Sequence, residues 1–381
     1  MAGVNGDLIA VRIRSVGDRP RAAWAEGLRV SLPAALVDRA GWQQAIRPDG
    51  AIEIPSGAAP IGGDDVTRLR EQRAFTDRPL SARLPVNYRL VPGWARAALA
   101  SCIGRLNRRQ VARWGAFPAW PIDLSADLLA DLRGEAGAVL SDESPAPVVL
   151  THDIDSPQGL TRLVNQFLPA EEAVGARSTS YLVPCAWPID HGLVSDVIAR
   201  GHAVGVHGCD HSNTTPFAPP EERRRRLDAA RSLAERYPVS GYRAPSLLRT
   251  RALLRDVGVR YRYDSSIPTS GGLFPTPNNG CATARPFRVE GAVELPITLP
   301  RDGSLRFLGC SPDEILRTWV DCADLIARSH GIVMLLTHCE RRFTGHPAMF
   351  RAYCRFLEHL RDRTDRFVFS TADAVAALVS R

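Results

Sequence analysis

Two carboxylates follow a short apolar run near the middle of the chain. Residues 148–150 are Val-Val-Leu, which favours a short buried strand, and Asp153 and Asp155 come just after them. Because side chains alternate along a strand, both carboxylates are expected on the same side of it. Carboxylates this close repel each other unless a cation lies beside them. On this segment alone, a solvated turn with two acidic residues is an equally good interpretation.

Two histidines, His207 and His211, follow another predicted strand at residues 202–206. Their spacing would place the two imidazoles one helical turn apart, where they can share one ion. Alone this pattern is weak, because histidines four residues apart are common in ordinary helices. Together with a carboxylate from another strand end, the pair forms a donor set that suits zinc, or else cobalt, nickel or iron, with positions left open for water and substrate.

Three further predicted strands also end in polar residues, namely Arg243, Asp264 and His338. Parallel strands of a (β/α) barrel direct their carboxyl ends to one face, and the chemistry of such folds is found on that face. Polar, titratable residues at five strand ends therefore predict one shared catalytic site.

The elements that must position these residues begin at about residue 146. From there to residue 381, apolar runs of strand length alternate with segments of helical periodicity. One such helix, over 313–329, follows a serine and a proline that are typical of a helix start. The alternation predicts an α/β domain over 146–381 with a parallel sheet closed into a barrel.

Residues 1–145 are expected to form a smaller α+β extension of uncertain role. Three strands are predicted, at 8–13, 28–32 and 51–54. A loop rich in glycine and proline is predicted at 56–65, and a helix at 93–113. We favour a packing annex that covers one side of the main domain. A substrate-gripping extension and a dimerisation module are the alternatives.

The composition is that of an ordinary globular protein of 381 residues with a net charge of +7. All 48 basic residues are arginine and most are dispersed, so the charge reflects a compositional bias and does not indicate nucleic-acid binding. The eight cysteines form no CxxC pair, which favours reduced thiols. No segment resembles a signal peptide or a membrane span, so we expect a cytoplasmic protein without membrane insertion.

From about residue 146 to 375 the chain resembles the polysaccharide deacetylase family, carbohydrate esterase family 4. The resemblance rests on five short motifs in the family's order: Thr151-His152-Asp153-Ile154-Asp155, His207-Gly208-Cys209-Asp210-His211, Arg243-Ala244-Pro245, Asp264-Ser265-Ser266, and a fifth that ends in His338. The first is the Asp-x-Asp variant of the commoner Thr-Phe-Asp-Asp. The second has Gly208 where Ser or Thr is common, and the fourth lacks the usual tryptophan.

The resemblance implies a role for each matching residue. Asp155, His207 and His211 would bind the metal. Asp153 would be the general base, with Arg243 holding it, and His338 would be the general acid. On physical grounds we expect Asp264 to hold the protonated His338. The resemblance also implies a distorted (β/α) barrel for residues 146–381.

The implied activity is a metal-dependent hydrolase acting on carbon–nitrogen bonds other than peptide bonds. We expect it to remove an N-acetyl or N-formyl group from an amino sugar of a surface polysaccharide of the O-antigen or capsule type, or from its precursor. A nucleotide-linked or lipid-linked sugar and a homo-oligomer are both compatible with the sequence. The alternatives are an amidase or imidase acting on a non-sugar amide, and a glycan-binding pseudoenzyme.

Several residues near the motifs have simpler interpretations. His152 should point away from Asp153 and pack in the interior. We interpret Cys209 and Cys339 as packing residues, since the predicted ligand set is complete without them. For Trp187 the alternatives are stacking on a sugar and packing in the core or at the rim. For Arg341 and Arg342 the alternatives are binding a phosphate and solvation.

Overall fold

The computed structural model of the chain describes residues 8–57, 60–83, 92–114, 122–134, 144–270 and 280–379. The N-terminal part contains three strands, β1 (Leu8–Ser15), β2 (Arg29–Pro33) and β3 (Ala51–Glu53). The α-helices among its described residues are α1 (Ala34–Arg39), α2 (Gly63–Gln72), α3 (Leu80–Arg83), α4 (Gly93–Trp114) and α5 (Ser125–Arg133). The strands form a sheet of order β2-β1-β3, in which β2 is antiparallel and β3 parallel to β1.

The three strands of the extension agree with the sequence-based expectation. Val11 and Ile13 alternate with exposed residues along β1, so that one face of the sheet is buried. The prediction of a loop over 56–65 is wrong at its end, where α2 begins at Gly63. The Asp65 carboxylate accepts a hydrogen bond from the backbone N–H of Gly62 (2.7 Å), and this stabilises the first turn of the helix.

The main sheet contains nine strands. They are β4 (Ala146–Ile154), β5 (Thr179–Leu182), β6 (Ala203–Val206), β7 (Val239–Tyr242), β8 (Tyr263–Asp264), β9 (Phe287–Val289), β10 (Ala292–Glu294), β11 (Val333–His338) and β12 (Phe367–Ser370). The helices of this part are α6 (Pro157–Arg162), α7 (Leu168–Glu172), α8 (His191–Ala199), α9 (Pro220–Ala230), α10 (Arg251–Gly258), α11 (Asp302–Phe307), α12 (Pro312–Arg328), α13 (Pro347–Arg361) and α14 (Ala372–Val379).

Strand β4 lies at the centre of this sheet. The strand order is β11-β4-β5-β6-β7-β8-β10-β9, and β12 also pairs with β4. All nine residues of β4 are buried, which explains its continuous apolar run. The neighbouring strands from β11 to β10 are parallel, so their carboxyl ends lie along one edge. Only β9, which pairs with β10, is antiparallel within the described sheet.

A threonine side chain and a backbone hydrogen bond connect the segment after β10 with β11. Thr298 follows β10, and its hydroxyl accepts a hydrogen bond from the Met334 backbone N–H (2.8 Å) and donates one to the Ile332 carbonyl (2.8 Å). The Leu299 N–H also donates to the Met334 carbonyl (3.0 Å). The prediction of a distorted (β/α) barrel is confirmed at the level of fold class, although the regular ladder does not close.

Helix α5 connects the N-terminal sheet with the barrel. The carboxylate of Asp131 binds Arg285 (2.7 Å), and that of Asp127 accepts a hydrogen bond from the Ala284 backbone N–H (2.7 Å). Both acidic residues are buried, so these contacts compensate for the loss of water. The division into 1–145 and 146–381 stays a prediction. Within the described ranges, no helix combines the length and hydropathy that a membrane crossing requires.

Candidate functional site

The carboxyl end of β4 places Asp153 and Asp155 in different surroundings. Asp153 is almost fully buried, whereas Asp155 retains about a third of its side-chain exposure. His152 lies on the opposite side of the strand, with Nε2 2.8 Å from a Glu171 oxygen and Nδ1 2.8 Å from the Thr337 hydroxyl. His152 is therefore packed in the interior, as alternation along the strand predicts.

Arg243 follows β7 and holds the carboxylate of Asp153. Its Nη1 donates to Asp153 Oδ1 (3.0 Å) and to the Thr151 hydroxyl (2.9 Å), and the guanidinium carbon lies 4.1 Å from the Tyr181 ring centre. Burial alone would raise the pKa of Asp153, but electrostatic interactions with His207 and with the Arg243 guanidinium outweigh this and lower it. Asp153 is therefore an ionised, oriented carboxylate.

The segment Asp264-Ser265-Ser266 positions Arg243 and its loop. Arg243 Nε donates to the Ser265 carbonyl (2.9 Å) and Nη2 to the Ser265 hydroxyl (2.9 Å). Ser266 accepts a hydrogen bond from the Ala244 N–H and donates one to Asp264, each at 2.8 Å. The Asp264 carboxylate thus accepts a hydrogen bond from Ser266, and the expectation that Asp264 is the partner of His338 is wrong.

The backbone determines the tautomer of His207. Its Nδ1 lies 3.1 Å from the Arg243 carbonyl oxygen, which can only accept, so Nδ1 carries the proton. The other nitrogen, Nε2, then presents a lone pair towards Asp155 Oδ1 (3.7 Å) and Asp153 Oδ2 (3.5 Å). A backbone carbonyl that accepts from one ring N–H fixes the orientation of the ring, and metal-binding histidines are usually held in this way.

The segment from His207 to His211 forms a loop, and the prediction that a helical turn joins the two histidines is wrong. Gly208 has a φ of +65°, and a Cβ there would lie 2.6 Å from the Pro245 ring, so the serine or threonine common at this motif position would not fit. His211 itself has a φ of +60°, which is unusual for a residue with a side chain. The two rings still approach to 5.1 Å between centres.

Asp155, His207 and His211 form a group that could hold a metal ion. Their ligand atoms lie within 4.8 Å of one another. Asp155 Oδ1 is buried and has no hydrogen-bond partner within the described part of the chain, although His211 Nε2 lies 3.3 Å away. A buried carboxylate oxygen and two imidazoles that face one point fit a divalent cation of borderline softness.

His338 ends β11 beside Asp153, and its partner is Asp302 at the start of α11. Nδ1 of His338 donates to Asp302 Oδ1 (2.8 Å), and the His338 backbone N–H donates to Oδ2 (2.8 Å). Thr344 also donates to Oδ2 through its hydroxyl (2.8 Å). Burial would lower the pKa of His338, but the charge and hydrogen bond of Asp302 raise it to about 10. The imidazole is therefore cationic and held in one orientation.

Glu340 is a further acidic residue at the site that the motifs do not include. Its Oε1 accepts hydrogen bonds from the Asp155 backbone N–H (3.1 Å) and from the Ser156 hydroxyl (2.9 Å). Burial and the neighbouring charge of Asp155 raise the pKa of Glu340 to about 7. Its position two residues after His338 was visible in the sequence, but its contact with the end of β4 required the pairing of β11 with β4.

A cavity of about 370 Å³ opens over these side chains. The polar residues Asp153, Asp155, His207, His211, His338 and Glu340 all line it. The N-terminal helix α4 contributes Ala97 and Ala100, and α11 and its flanks contribute Arg301 and Phe307. Gly104 of α4 packs directly against the Phe307 carbonyl, where a Cβ would overlap it. Sequence analysis did not identify this contribution of the extension to the cavity wall.

The structure also places the side chains for which the sequence left two interpretations open. Trp187 packs against the main core, and Arg342, but not Arg341, is among the residues that line the cavity. Burial raises the pKa of Cys209 to about 12 and that of Cys339 well above its usual value. Neither thiol is therefore poised to become a thiolate ligand.

Comparison with known proteins gives structural matches only. No protein-family model and no curated sequence matches the chain. A candidate polysaccharide deacetylase from Mycobacterium smegmatis matches with a TM-score of 0.50 and 18% identity, over 62% of this chain and 91% of that one. An allantoinase matches with a TM-score of 0.49 and 15% identity, over 61% of this chain and 89% of that one. A family 4 carbohydrate esterase from Streptomyces lividans in complex with acetate matches with a TM-score of 0.39 and 14% identity, over 59% of this chain and 91% of that one.

The first of these matches spans nearly the whole of the Mycobacterium smegmatis chain, so almost all of that protein's fold has a counterpart in this chain. At this level of identity it demonstrates a common fold. The resemblance found in the sequence motifs is therefore confirmed at the level of fold. The chain contains a domain with the polysaccharide deacetylase fold.

Proposed function

We propose that the protein is a metal-dependent N-deacylase of an amino sugar. The observation that carries the proposal is the group Asp155, His207 and His211 beside a second carboxylate, Asp153, which a buried arginine holds ionised. We further propose zinc as the ion, with cobalt, nickel or iron as alternatives. A divalent ion held there would supply Lewis-acid polarisation of the substrate amide and favour deprotonation of water.

Asp153 is the general base in this proposal. Its fixed pairing with Arg243 leaves Oδ2 directed to His207 and the cavity, where it can take the proton of the attacking water. Arg243 has no access to the cavity, since its side chain is fully buried. Its role is to keep Asp153 charged and in one position.

His338 is the general acid. Its protonated imidazole, with Nδ1 bound to Asp302, leaves Nε2 free to give a proton to the departing amine. Asp302 takes the role that we expected of Asp264. The two carboxylates of β4 and the histidine of β11 thus divide metal binding, proton removal and proton donation among them.

The experiment that tests the proposal measures acetate and formate release by zinc-loaded protein. N-acetyl and N-formyl amino sugars should be offered as free sugars, nucleotide-linked sugars, lipid-linked sugars and polymer. We expect release of one acid from at least one sugar, and its loss on metal removal. Metal-independent release, or hydrolysis of non-sugar amides alone, would contradict the proposal. Binding of sugars by metal-loaded protein without turnover would indicate a pseudoenzyme.

Several finer predictions belong to the same proposal. These are a substrate of the O-antigen or capsule type or its precursor, a nucleotide or lipid carrier, a cytoplasmic location and a homo-oligomeric state. The substrate panel addresses the first two directly, because it compares the same acyl group on different carriers.

Replacing Asp302 with asparagine should shift the pH dependence of turnover. The Asp302 charge raises the pKa of His338, so the protonated acid persists to higher pH in the wild type. Without that charge the pKa falls, and the alkaline limb of kcat should move to lower pH by about 1–3 units. The matched control is Asp264→Asn, which should leave this limb in place. If Asp264→Asn shifts the alkaline limb and Asp302→Asn does not, the original assignment of Asp264 as the partner of His338 would be correct.

Filling the cavity from the N-terminal helix should impair substrate binding. Ala100 of α4 lines the cavity, so Ala100→Trp should raise KM, or abolish saturation, without removing the metal. The matched control is Ala98→Trp, because Ala98 lies on the exposed face of the same helix. Steady-state kinetics and metal analysis of both variants provide the measurement. Equal kinetics for the two variants would show that α4 does not border the substrate.

A further inference from the structure

We propose that the cavity selects an acidic substrate, an amino sugar bearing a carboxylate or a phosphate, and that Arg301 binds this anionic group. The sugar part of the inference rests on the proposed function. The anion-binding part rests on Arg301 itself and can be tested separately.

Arg301 is a buried cation with an unused donor. It lies between Leu299 and α11, lines the cavity and is 92% buried, since its exposed fraction is 8%. Its Nε donates to the Ser304 hydroxyl (3.0 Å). Its Nη2 is buried and has no hydrogen-bond partner among the described residues. A buried charged donor without a partner is costly, so a ligand that supplies acceptor oxygens would be favoured.

The adjacent carboxylate of Asp302 does not satisfy Arg301. Both Asp302 oxygens accept hydrogen bonds from other groups: Oδ1 from His338 Nδ1 and the Gly303 N–H, and Oδ2 from the His338 N–H and Thr344. Asp302 is thus committed to orienting His338. Arg301, whose side chain lines the cavity, is not required for that orientation.

The charge balance of the cavity also favours an anion once the metal is bound. Burial lowers the pKa of Arg301, while the charges of Asp153, Asp302 and Asp155 act in the opposite direction. A divalent ion held by Asp155 would offset part of this negative charge. The remaining cationic groups, including protonated His338, would then attract a negatively charged substituent.

A guanidinium is well suited to this task. Its planar donors match the two oxygens of a carboxylate or a phosphate and pair with them in a bidentate manner. The aromatic rings of Phe307 and Phe343 lie along the same cavity and offer apolar contact to the sugar. A volume of about 370 Å³ falls within the range of small-molecule sites. The geometry thus combines an anion anchor with room for a substituted sugar.

The test compares three probes by calorimetric titration into the zinc-loaded protein. N-acetylglucosamine is the neutral probe, N-acetylmuramic acid carries a carboxylate, and N-acetylglucosamine 1-phosphate carries a phosphate. We expect at least one anionic probe to bind about 10- to 100-fold more tightly than the neutral one, as a charge-assisted hydrogen bond predicts. The preferred probe identifies the anionic group.

Arg301→Met should remove this advantage and leave the Kd of the neutral probe nearly unchanged. The matched control is Arg306→Met, the same change at a nearby residue of α11 that does not line the cavity. Arg301→Lys should keep part of the advantage, and it serves as the test if Arg301→Met does not fold. Equal Kd values for all three probes in the wild type, or an advantage that survives both Arg301 variants, would overturn the inference.

Acetate release, measured on the same samples, separates the two proposals. Arg301-dependent anion binding, with neither acetate nor formate released from any N-acetyl or N-formyl sugar of the substrate panel, would retain this inference and contradict the deacylase. Release without any preference for acidic probes would support the deacylase and overturn the role of Arg301.

Discussion

Asp153→Asn should lower kcat by about 10²–10⁴-fold, the usual contribution of a general base, while the protein keeps its metal. Asparagine preserves the shape of the side chain and can still bind Arg243, but it cannot take a proton from water. The proposed ligands Asp155, His207 and His211 are unchanged, so binding of the ion should persist. The measurement is kcat together with elemental analysis of the same preparation.

The control for this variant is the neighbouring carboxylate. Asp155→Asn should lose the metal, and its activity should recover in part at high zinc concentration, whereas that of Asp153→Asn should not. Activity retained in Asp153→Asn would refute the assignment of the base. Loss of metal from Asp153→Asn, with retention in Asp155→Asn, would show that the two carboxylates have exchanged roles.

His207→Ala and His211→Ala should each abolish stoichiometric metal binding and, with it, turnover. Each change removes one of three proposed ligands, and His207 also has a fixed tautomer that directs Nε2 to the site. Zinc at about 100 times its Kd stabilises a folded protein by about 2.7 kcal/mol. Zinc should therefore raise the Tm of the wild type and leave the Tm of both variants unchanged.

The matched control is His191→Ala, at an exposed histidine that begins α8 and pairs with Tyr237. It should keep the zinc-dependent rise in Tm and the wild-type metal content. If His207→Ala and His211→Ala also keep both, the metal site is assigned to the wrong residues.

The sequence alone located the residues that end parallel strands. Asp153, Asp155, Arg243 and His338 each follow a run of buried residues, and the rule that such strands direct their carboxyl ends to one edge was sufficient to bring them together. Alternation along β4 also placed His152 correctly in the interior. These are local patterns combined with one topological rule.

Other features depended on contacts that no local pattern encodes. Asp302 lies 36 residues from His338, after an irregular stretch between β10 and α11 without strand or helix periodicity. Asp264 was the plausible partner because it ends a strand, yet Ser266 occupies it. The loop geometry at Gly208 follows from the close approach of Pro245, which is a tertiary contact.

The contribution of the N-terminal extension was likewise hidden from sequence reasoning. Helix α4 was predicted, but nothing in its periodicity indicates that Ala97 and Ala100 line a cavity at the carboxyl edge of the main sheet. That position depends on the close packing of Gly104 against α11. Helix α4 therefore borders the candidate site, while the role of the extension stays a prediction.

Ile154 separates Asp153 and Asp155, the two carboxylates to which different roles are assigned. It is fully buried in the main core, so Asp153 and Asp155 emerge on the same side of β4 at different depths. The deeper carboxylate is paired with Arg243, and the outer one faces the two histidines. If Asp153 is the base and Asp155 the ligand, the metal must bind the outer carboxylate only.

Anomalous diffraction from zinc-soaked crystals of the wild-type protein would measure this arrangement. We expect a zinc peak within about 2.0–2.2 Å of an Asp155 oxygen and of Nε2 of both His207 and His211, with Asp153 outside the coordination sphere and still bound to Arg243. A zinc ion bound to Asp153 in place of Asp155, or no zinc between the two histidines, would contradict this assignment.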